Sequence, residues 1–299
     1  GLSTRAASMQ VASFGIVGGT VAALIRGSWA DVAAATTIGI LIGLLALIAE
    51  RRPNFAPSFE AVAAFIAMFL ASVVAVTLQP IDVRNVLIAA IIVLMPGLML
   101  TNAVSELSSQ QLVSGTARFA GALMILMKLT FGTVAAMQIV RLLGWAPMEA
   151  LPQPLVWQAE AAALLVASYA FAVLFRASSR DYPLVMASVV LGYVLTRIGG
   201  EVLGLASDNF AGGAFFAGMG VAVVSNAYGR WANRPGALIR VPGIILLVPG
   251  SVGFRSLTFV MERDVFLGLD TAFALLSALI ALVAGLLFGN LILPSRRNL

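Results

Sequence analysis

The sequence predicts an all-α membrane protein with about ten transmembrane helices. Of its 299 residues, 61% are hydrophobic and only 10% are charged, and the mean hydropathy is +1.02. A soluble domain carries about 25% charged residues, so this chain lacks the polar side chains that would cover a water-exposed surface. The apolar residues also come in long blocks, such as 31–49, 59–78 and 271–293, and each block is long enough to cross a bilayer.

Charged or proline-rich breaks separate the predicted spans. The longest break, residues 144–154, lies at the centre of the chain and divides it into a first membrane repeat, 1–146, and a second, 155–299. Arginines are more numerous in the connections on the side of the N-terminus, and the positive-inside rule then places both termini in the cytoplasm. The predicted spans lie at roughly 9–25, 32–49, 60–79, 86–104, 120–143, 158–175, 183–199, 211–229, 238–261 and 270–292.

The composition excludes several classes of function. The chain contains no cysteine and no histidine, which rules out disulfides, Cys/His zinc sites and histidine acid–base catalysis. We therefore predict no metal, no cofactor and no enzymatic activity. The net charge of +5 comes from arginines in the connections, so we predict no nucleic-acid partner. The expected partners are the lipid bilayer and a small-molecule substrate, and a homo-oligomer is left open.

The two halves of the chain resemble each other. Ile91–Gly97 reads IIVLMPG and Ile244–Gly250 reads IILLVPG, which are identical at five of seven positions at an offset of 153 residues. One such match could arise by chance in so apolar a sequence, but several matches at nearly one offset favour a duplication. Five spans per half is an odd number, so the second copy enters the membrane from the opposite side. The sequence thus predicts two inverted-topology repeats of five helices.

Pro-Gly pairs interrupt the fourth and the ninth predicted span. Proline removes a backbone donor and clashes with the preceding turn, and glycine lets the chain turn freely. Pro96-Gly97 and Pro249-Gly250 are therefore expected to break these helices at bilayer depth. Broken spans at matching positions of two repeats are typical of a substrate site in transporters. The alternative is a purely structural kink, because both residues are frequent in membrane helices.

Polar side chains follow each break. Thr101 and Asn102 come just after the first break, Arg118 lies farther along, and Arg255 follows the second break. Hydroxyl, amide and guanidinium groups suit a small zwitterion or carboxylate, and arginine binds a carboxylate through two hydrogen bonds. We expect these four residues, with the two Pro-Gly pairs, to bind substrate.

Ionisable residues within or near the spans are candidates for carrying a coupling proton. Lys128 lies inside a predicted span and Asp270 opens the last one, while Glu106 follows the Thr-Asn pair. A charge inside a membrane usually faces a cavity or a partner. Glu60 and Glu160 lie near span ends, and for them we favour contact with the interface over a functional role. Glu106 is the first choice for the proton carrier, with Lys128 and Asp270 as further candidates.

The first-half motif resembles the signature of the threonine/serine exporter family. The run Leu94–Arg118, LMPGLMLTNAVSELSSQQLVSGTAR, contains a Pro-Gly break, a Thr-Asn pair, an acidic residue and a Ser-Gly-x-x-Arg segment. The second half, with Leu247–Gly250, resembles the family's smaller membrane domain, which in some bacteria is a separate polypeptide. The acidic position is often aspartate in the family and is Glu106 here.

The resemblance implies a secondary transporter of the bacterial cytoplasmic membrane that exports threonine and serine, driven by the proton gradient. Split two-chain relatives move a dicarboxylate, so a succinate-like substrate is the first alternative. A passive channel, in which the broken helices line a pore, is the alternative of another class. An intramembrane enzyme is the least favoured reading, because the sequence offers no convincing nucleophile with a base.

Overall fold

The structure is a computed structural model that describes residues 4–148, 150, 155–174, 177–199, 211–231, 243, 254 and 265–294. The described part is built of α-helices and contains no β-strand. In chain order the helices are α1 (Thr4–Leu24), α2 (Trp29–Arg51), α3 (Phe59–Thr77), α4 (Val83–Ile91), α5 (Gly97–Ser108), α6 (Leu112–Leu142), α7 (Trp157–Leu174), α8 (Tyr182–Arg197), α9 (Ala211–Trp231) and α10 (Val265–Ile292), with 3₁₀ helices at Ala56–Ser58, Ile92–Leu94 and Ser179–Asp181.

Six described helices are long and apolar enough to cross a membrane, namely α1, α2, α3, α6, α7 and α10. The bent pair formed by Val83–Leu94 and Gly97–Ser108 provides a seventh candidate span. The chain is therefore an all-α, multi-pass membrane protein. Helices α8 and α9 occupy two more of the predicted spans, but α8 has only 16 residues, and most of the predicted span 238–261 lies outside the described residues. The count of ten stays a prediction.

Helix α6 begins at Leu112, well before the span predicted at 120–143. The hydroxyl of Thr116 donates to the carbonyl oxygen of Leu112 at 2.6 Å, and that of Ser114 approaches the carbonyl oxygen of Gln111 at 3.4 Å. Polar side chains that bond to their own helix in this way do not end it. The helix therefore extends beyond the predicted span at its polar start.

The described residues fall into two compact units, Gly1–Met95 with Ile125–Arg176, and Pro96–Met124 with Ala177–Leu299. In the first unit, α1 packs along α2 through small residues. A Cβ atom added at Gly39 would lie 2.7 Å from the carbonyl oxygen of Phe14, and one added at Gly43 would lie 3.0 Å from Cα of Val11. These glycines allow the two backbones to approach closely, as is typical of Gly-x-x-x-Gly pairs.

Asp31 fixes the start of α2 to the connection before α4. Its carboxylate is 3% exposed and accepts hydrogen bonds from the backbone N–H of Ser28 at 2.7 Å and from its hydroxyl at 3.0 Å. The other carboxylate oxygen accepts from the backbone N–H of Asp82 at 2.9 Å. This buried acid is therefore satisfied by neutral donors, as a capping box with one additional partner.

In the second unit, α9 packs along α10 around a core of small and branched side chains. Leu98 of α5 and Leu195 of α8 lie against this core. At one end of the α9–α10 contact, the side-chain amide of Asn226 donates to Oδ1 of Asn290 and to the carbonyl oxygen of Leu293, both at 2.7 Å. The core residues are Ala214, Ala217, Val221, Ala222, Leu282 and Leu286.

The same close helix contact occurs once in each unit. A Cβ atom added at Gly132 of α6 would collide with the carbonyl oxygen of Ala61 and lie 3.0 Å from the backbone nitrogen of Phe65 on α3. A Cβ atom added at Gly285 of α10 would collide with the carbonyl oxygen of Phe215 and lie 2.9 Å from the backbone nitrogen of Met219 on α9. In both places a glycine faces two backbone groups that are four residues apart on the neighbouring helix.

Candidate functional site

The first Pro-Gly pair breaks a helix, as the sequence predicts. Helix α4 passes into a 3₁₀ turn, and Met95 then adopts an extended conformation with φ −70° and ψ 130°. A residue before proline is pushed out of the helical region by the proline ring. A new helix begins at Gly97, and the axis bends by 61° across the break. The first backbone N–H groups of a helix have no partner within the helix, and at the start of α5 no side chain of the N-cap residue bonds to them.

A tight turn joins α5 to α6. The backbone N–H of Gln111 donates to the carbonyl oxygen of Glu106 at 2.9 Å, and that of Gln110 donates to Leu107 at 3.0 Å. This is the Schellman arrangement, with Gln110 in the left-handed region at φ 61°. Gly115 lies so close to Leu107 that an added Cβ would be 2.8 Å from its Cγ. Helix α6 therefore returns directly against α5.

This hairpin brings Glu106 and Arg118 together. Nε of Arg118 lies 2.8 Å from Oε1 of Glu106. The glutamate side chain is 21% exposed and the arginine side chain 50% exposed, so the guanidinium is accessible while the carboxylate is half-buried. The second oxygen, Oε2, is buried and has no hydrogen-bond partner among the described residues. Sequence reasoning assigned these two residues separate roles, and the structure joins them in one ion pair.

Thr101 and Asn102 differ in their surroundings. Thr101 is 1% exposed, and its hydroxyl has no hydrogen-bond partner among the described residues. Buried hydroxyl groups usually have one, most often a carbonyl oxygen of their own helix. Asn102 is exposed. Of the predicted polar pair, Thr101 is thus the buried group, and it lies on the same short helix as Glu106.

Lys128 has a partner that sequence reasoning missed. Its Nζ lies 3.5 Å from Oε2 of Glu60, a residue of the first turn of α3. The side chains are 31% and 21% exposed, respectively. A lysine inside a membrane span usually has a partner, and Glu60 is one of the acidic residues that the sequence offers. No local sequence pattern, however, indicates that two residues so far apart in the chain are neighbours. Glu60 thus has an ion-pair partner on α6, and its contact with the membrane interface stays a prediction.

Of the remaining predicted site residues, the structure describes Asp270. Asp270 is exposed on α10. Pro249, Gly250 and Arg255 lie outside the described residues and stay predictions. The described candidate site therefore consists of α5 and the beginning of α6.

Comparison with known proteins places both halves of the chain in one family. Residues 4–140 match the family model described as "Putative threonine/serine exporter". Residues 160–292 match the model described as "Threonine/Serine exporter, ThrE". The two matched stretches follow one another along the chain and leave out the central connection.

Two curated relatives are fungal. An uncharacterized protein of Schizosaccharomyces pombe is 25% identical over 82% of this chain and 29% of its own length. Pheromone-regulated membrane protein 10 of Eremothecium gossypii is 24% identical over 77% of this chain and 31% of its own length. The chain thus spans less than a third of either relative. No solved structure matches it. The two family models together show that this chain belongs to the threonine/serine exporter family, with both of the family's membrane domains in one polypeptide.

Proposed function

We propose that the chain is a secondary transporter that exports threonine and serine across the bacterial cytoplasmic membrane in exchange for protons. Membership of the threonine/serine exporter family supports the substrate class. The bent pair α4–α5 supports a transporter, because irregular backbone at membrane depth is tolerated where it lines a cavity.

One observation carries the assignment of the site, namely the pair of buried polar atoms without partners on α5. The hydroxyl of Thr101 and Oε2 of Glu106 are both buried and unsatisfied among the described residues. A buried polar group without a partner costs about 1–3 kcal/mol. Such a cost is accounted for if a substrate supplies the missing hydrogen bonds, and the hydroxyl and ammonium groups of threonine or serine are suitable partners.

The charges on the α5–α6 hairpin favour a zwitterion over a dicarboxylate. Arg118 is the guanidinium that would bind a substrate carboxylate, and in the described conformation Glu106 occupies it. The pair of Glu106 and Arg118 has no net charge, so a zwitterion without net charge can bind there without leaving an uncompensated positive or negative charge. A dianion would require at least one more cation. When a substrate carboxylate replaces Glu106 on Arg118, Glu106 becomes free to carry the counter-moving proton.

The helix positions support an internal duplication. Helices α1, α2 and α6 begin at residues 4, 29 and 112, and α7, α8 and α10 begin at 157, 182 and 265, each 153 residues later. Gly132 and Gly285, which make the close contacts with α3 and α9, are also 153 residues apart, and the residues that they contact are 154 apart. We therefore keep the proposal of two inverted five-helix repeats, 1–146 and 155–299, with a second broken helix at Pro249-Gly250 and both termini in the cytoplasm.

The test is threonine transport by the purified protein in proteoliposomes, with Thr101→Val as the decisive variant. Valine has the shape of threonine without the hydroxyl, so it removes an unsatisfied group and should leave thermal stability unchanged or raised. If the hydroxyl bonds to substrate, KM for threonine rises by roughly 2–10-fold. The matched control is Thr130→Val on α6, a buried threonine whose hydroxyl already donates to Leu126.

The same preparation separates the alternatives. A carrier shows counterflow, in which external threonine accelerates efflux of the labelled amino acid, and a passive channel does not. Preference for succinate over threonine in a substrate panel would replace the amino-acid assignment by a dicarboxylate. An unchanged KM in Thr101→Val would remove α5 as the substrate site.

A further inference from the structure

We propose that Glu60 and Lys128 form a proton-coupling site that is distinct from the substrate-binding hairpin. The inference rests on the proposed export activity and adds to Glu106 a second acidic group that the coupling proton must bind. Lys128 lies ten residues from Arg118 on α6, roughly 15 Å of helix rise, so the two ion pairs are separate.

Glu60 and Lys128 form an ion pair without a hydrogen bond between them. Both residues lie inside candidate membrane spans. The separation of 3.5 Å between Nζ of Lys128 and Oε2 of Glu60 exceeds the usual hydrogen-bond range of about 2.7–3.2 Å. Oε2 is buried and has no hydrogen-bond partner among the described residues. The carboxylate therefore faces an ammonium without being bonded to it, and a proton can bind there without first breaking a hydrogen bond.

The second half of the chain indicates that helix packing does not require these charges. The glycines Gly132 and Gly285 are 153 residues apart, whereas the residues that they contact, Ala61 and Phe215, are 154 apart. Glu60, next to Ala61, therefore corresponds to Ala214, and Lys128, four residues before Gly132, corresponds to Ala281. Ala214 belongs to the α9–α10 core and Ala281 packs against it. Two alanines thus suffice for the packing of this helix pair.

Keeping two charges at a position where small residues suffice costs free energy. Each ion must lose most of its hydration, and replacing a buried ion pair by apolar residues is often neutral or stabilising. The charges must therefore serve something other than packing. Lys128 is the ion-pair partner that the structure shows for Glu60, so it is the cation that responds to protonation of Glu60.

Proton movement is coupled to transport through the loss of the ion pair between Glu60 and Lys128. A proton that binds Oε2 neutralises Glu60 and leaves the ammonium of Lys128 without a counter-charge. An unpaired ammonium inside a membrane is unfavourable unless it reaches water. Protonation thus favours a conformation in which Lys128 is hydrated, and release of the proton on the other side restores the pair. Two conformations with different hydration of one lysine are sufficient to link proton movement to substrate movement.

The test compares two activities of proteoliposomes that contain the full chain. One is exchange of radiolabelled threonine for unlabelled threonine without a pH gradient, and the other is threonine accumulation driven by an imposed pH gradient. The variant is the double substitution Glu60→Gln with Lys128→Met, because a single substitution would leave one buried charge unpaired. Expected are unchanged exchange, loss of gradient-driven accumulation, and loss of the threonine-dependent proton flux seen with a trapped pH dye.

Controls separate coupling from folding. Arg141→Gln removes an exposed cation from the same helix and should keep both activities. If the double variant melts at a lower temperature in detergent, Glu60→Ala with Lys128→Ala takes its place, since alanine is the residue found at 281 in the second half. Gradient-driven accumulation by a stable double variant overturns the inference, and so does loss of exchange together with accumulation. A wild-type protein that shows neither activity overturns the proposed function, and this inference with it.

Discussion

Substitution of Gly132 by alanine tests the closest helix contact of the first unit. The added Cβ would collide with the carbonyl oxygen of Ala61, and it would lie 2.9 Å from the carbonyl carbon of Ala61 and 3.0 Å from the backbone nitrogen of Phe65. All three atoms belong to the backbone of α3 and cannot rotate away. The helices must therefore move apart, and overpacking of this kind costs about 1–3 kcal/mol.

Gly121→Ala is the matched control because it makes the same change in the same helix. Among the described residues, a Cβ atom at Gly121 would contact only Sδ of Met99, at an ordinary distance of 3.6 Å. Both variants gain the same helix propensity, about 1 kcal/mol for alanine over glycine. The difference between them is then the cost of the collision alone, about 1–3 kcal/mol in the free energy of unfolding.

The measurement is the midpoint of unfolding of each purified variant, by titration with SDS in mixed micelles and by heating in mild detergent. Gly132→Ala should unfold at a lower SDS fraction than Gly121→Ala. Gly285→Ala should behave like Gly132→Ala, because the corresponding contact with Phe215 involves backbone atoms in the same way. Equal midpoints for Gly132→Ala and Gly121→Ala would refute the close approach of α6 to α3.

Two further substitutions test the buried polar contacts. Asp31→Ala should lower the free energy of unfolding by about 1–3 kcal/mol for each donor that it leaves buried and unbonded, including the backbone N–H of Asp82. An unfolding midpoint equal to that of the wild type would contradict the capping arrangement. Asn226→Leu removes the hydrogen bonds to Asn290 and Leu293 and should cost about 0.6–2 kcal/mol per bond, measured in the same SDS titration; a gain in stability would show that the two bonds contribute nothing net.

The sequence predicted what depends on local chemistry. The break at Pro96-Gly97 was predictable because a proline imposes its conformation on the residue before it, whatever the rest of the fold does. Lys128 was identified for a similar reason, since a charge within an apolar span is conspicuous. The packing role of the glycines at 39 and 43 is also readable from the sequence, because their spacing alone places them on one helix face.

The ion pairs could not be predicted because they depend on how the chain returns on itself. Glu106 meets Arg118 through a tight turn that places Gln110 at φ 61°, and glutamine is not a residue that signals such a turn. Glu60 and Lys128 are brought together by the packing of α3 against α6, for which no local pattern exists. Thr101 and Asn102 were expected to act together, yet neighbouring residues on a helix point about 100° apart.

The glycine contacts at 132 and 285 show which side chains this type of helix pairing tolerates. The same backbone contact holds one helix pair that carries a glutamate and a lysine and another that carries two alanines at the corresponding positions. A scaffold that tolerates both sets of side chains can gain or lose a pair of charges there without a new fold.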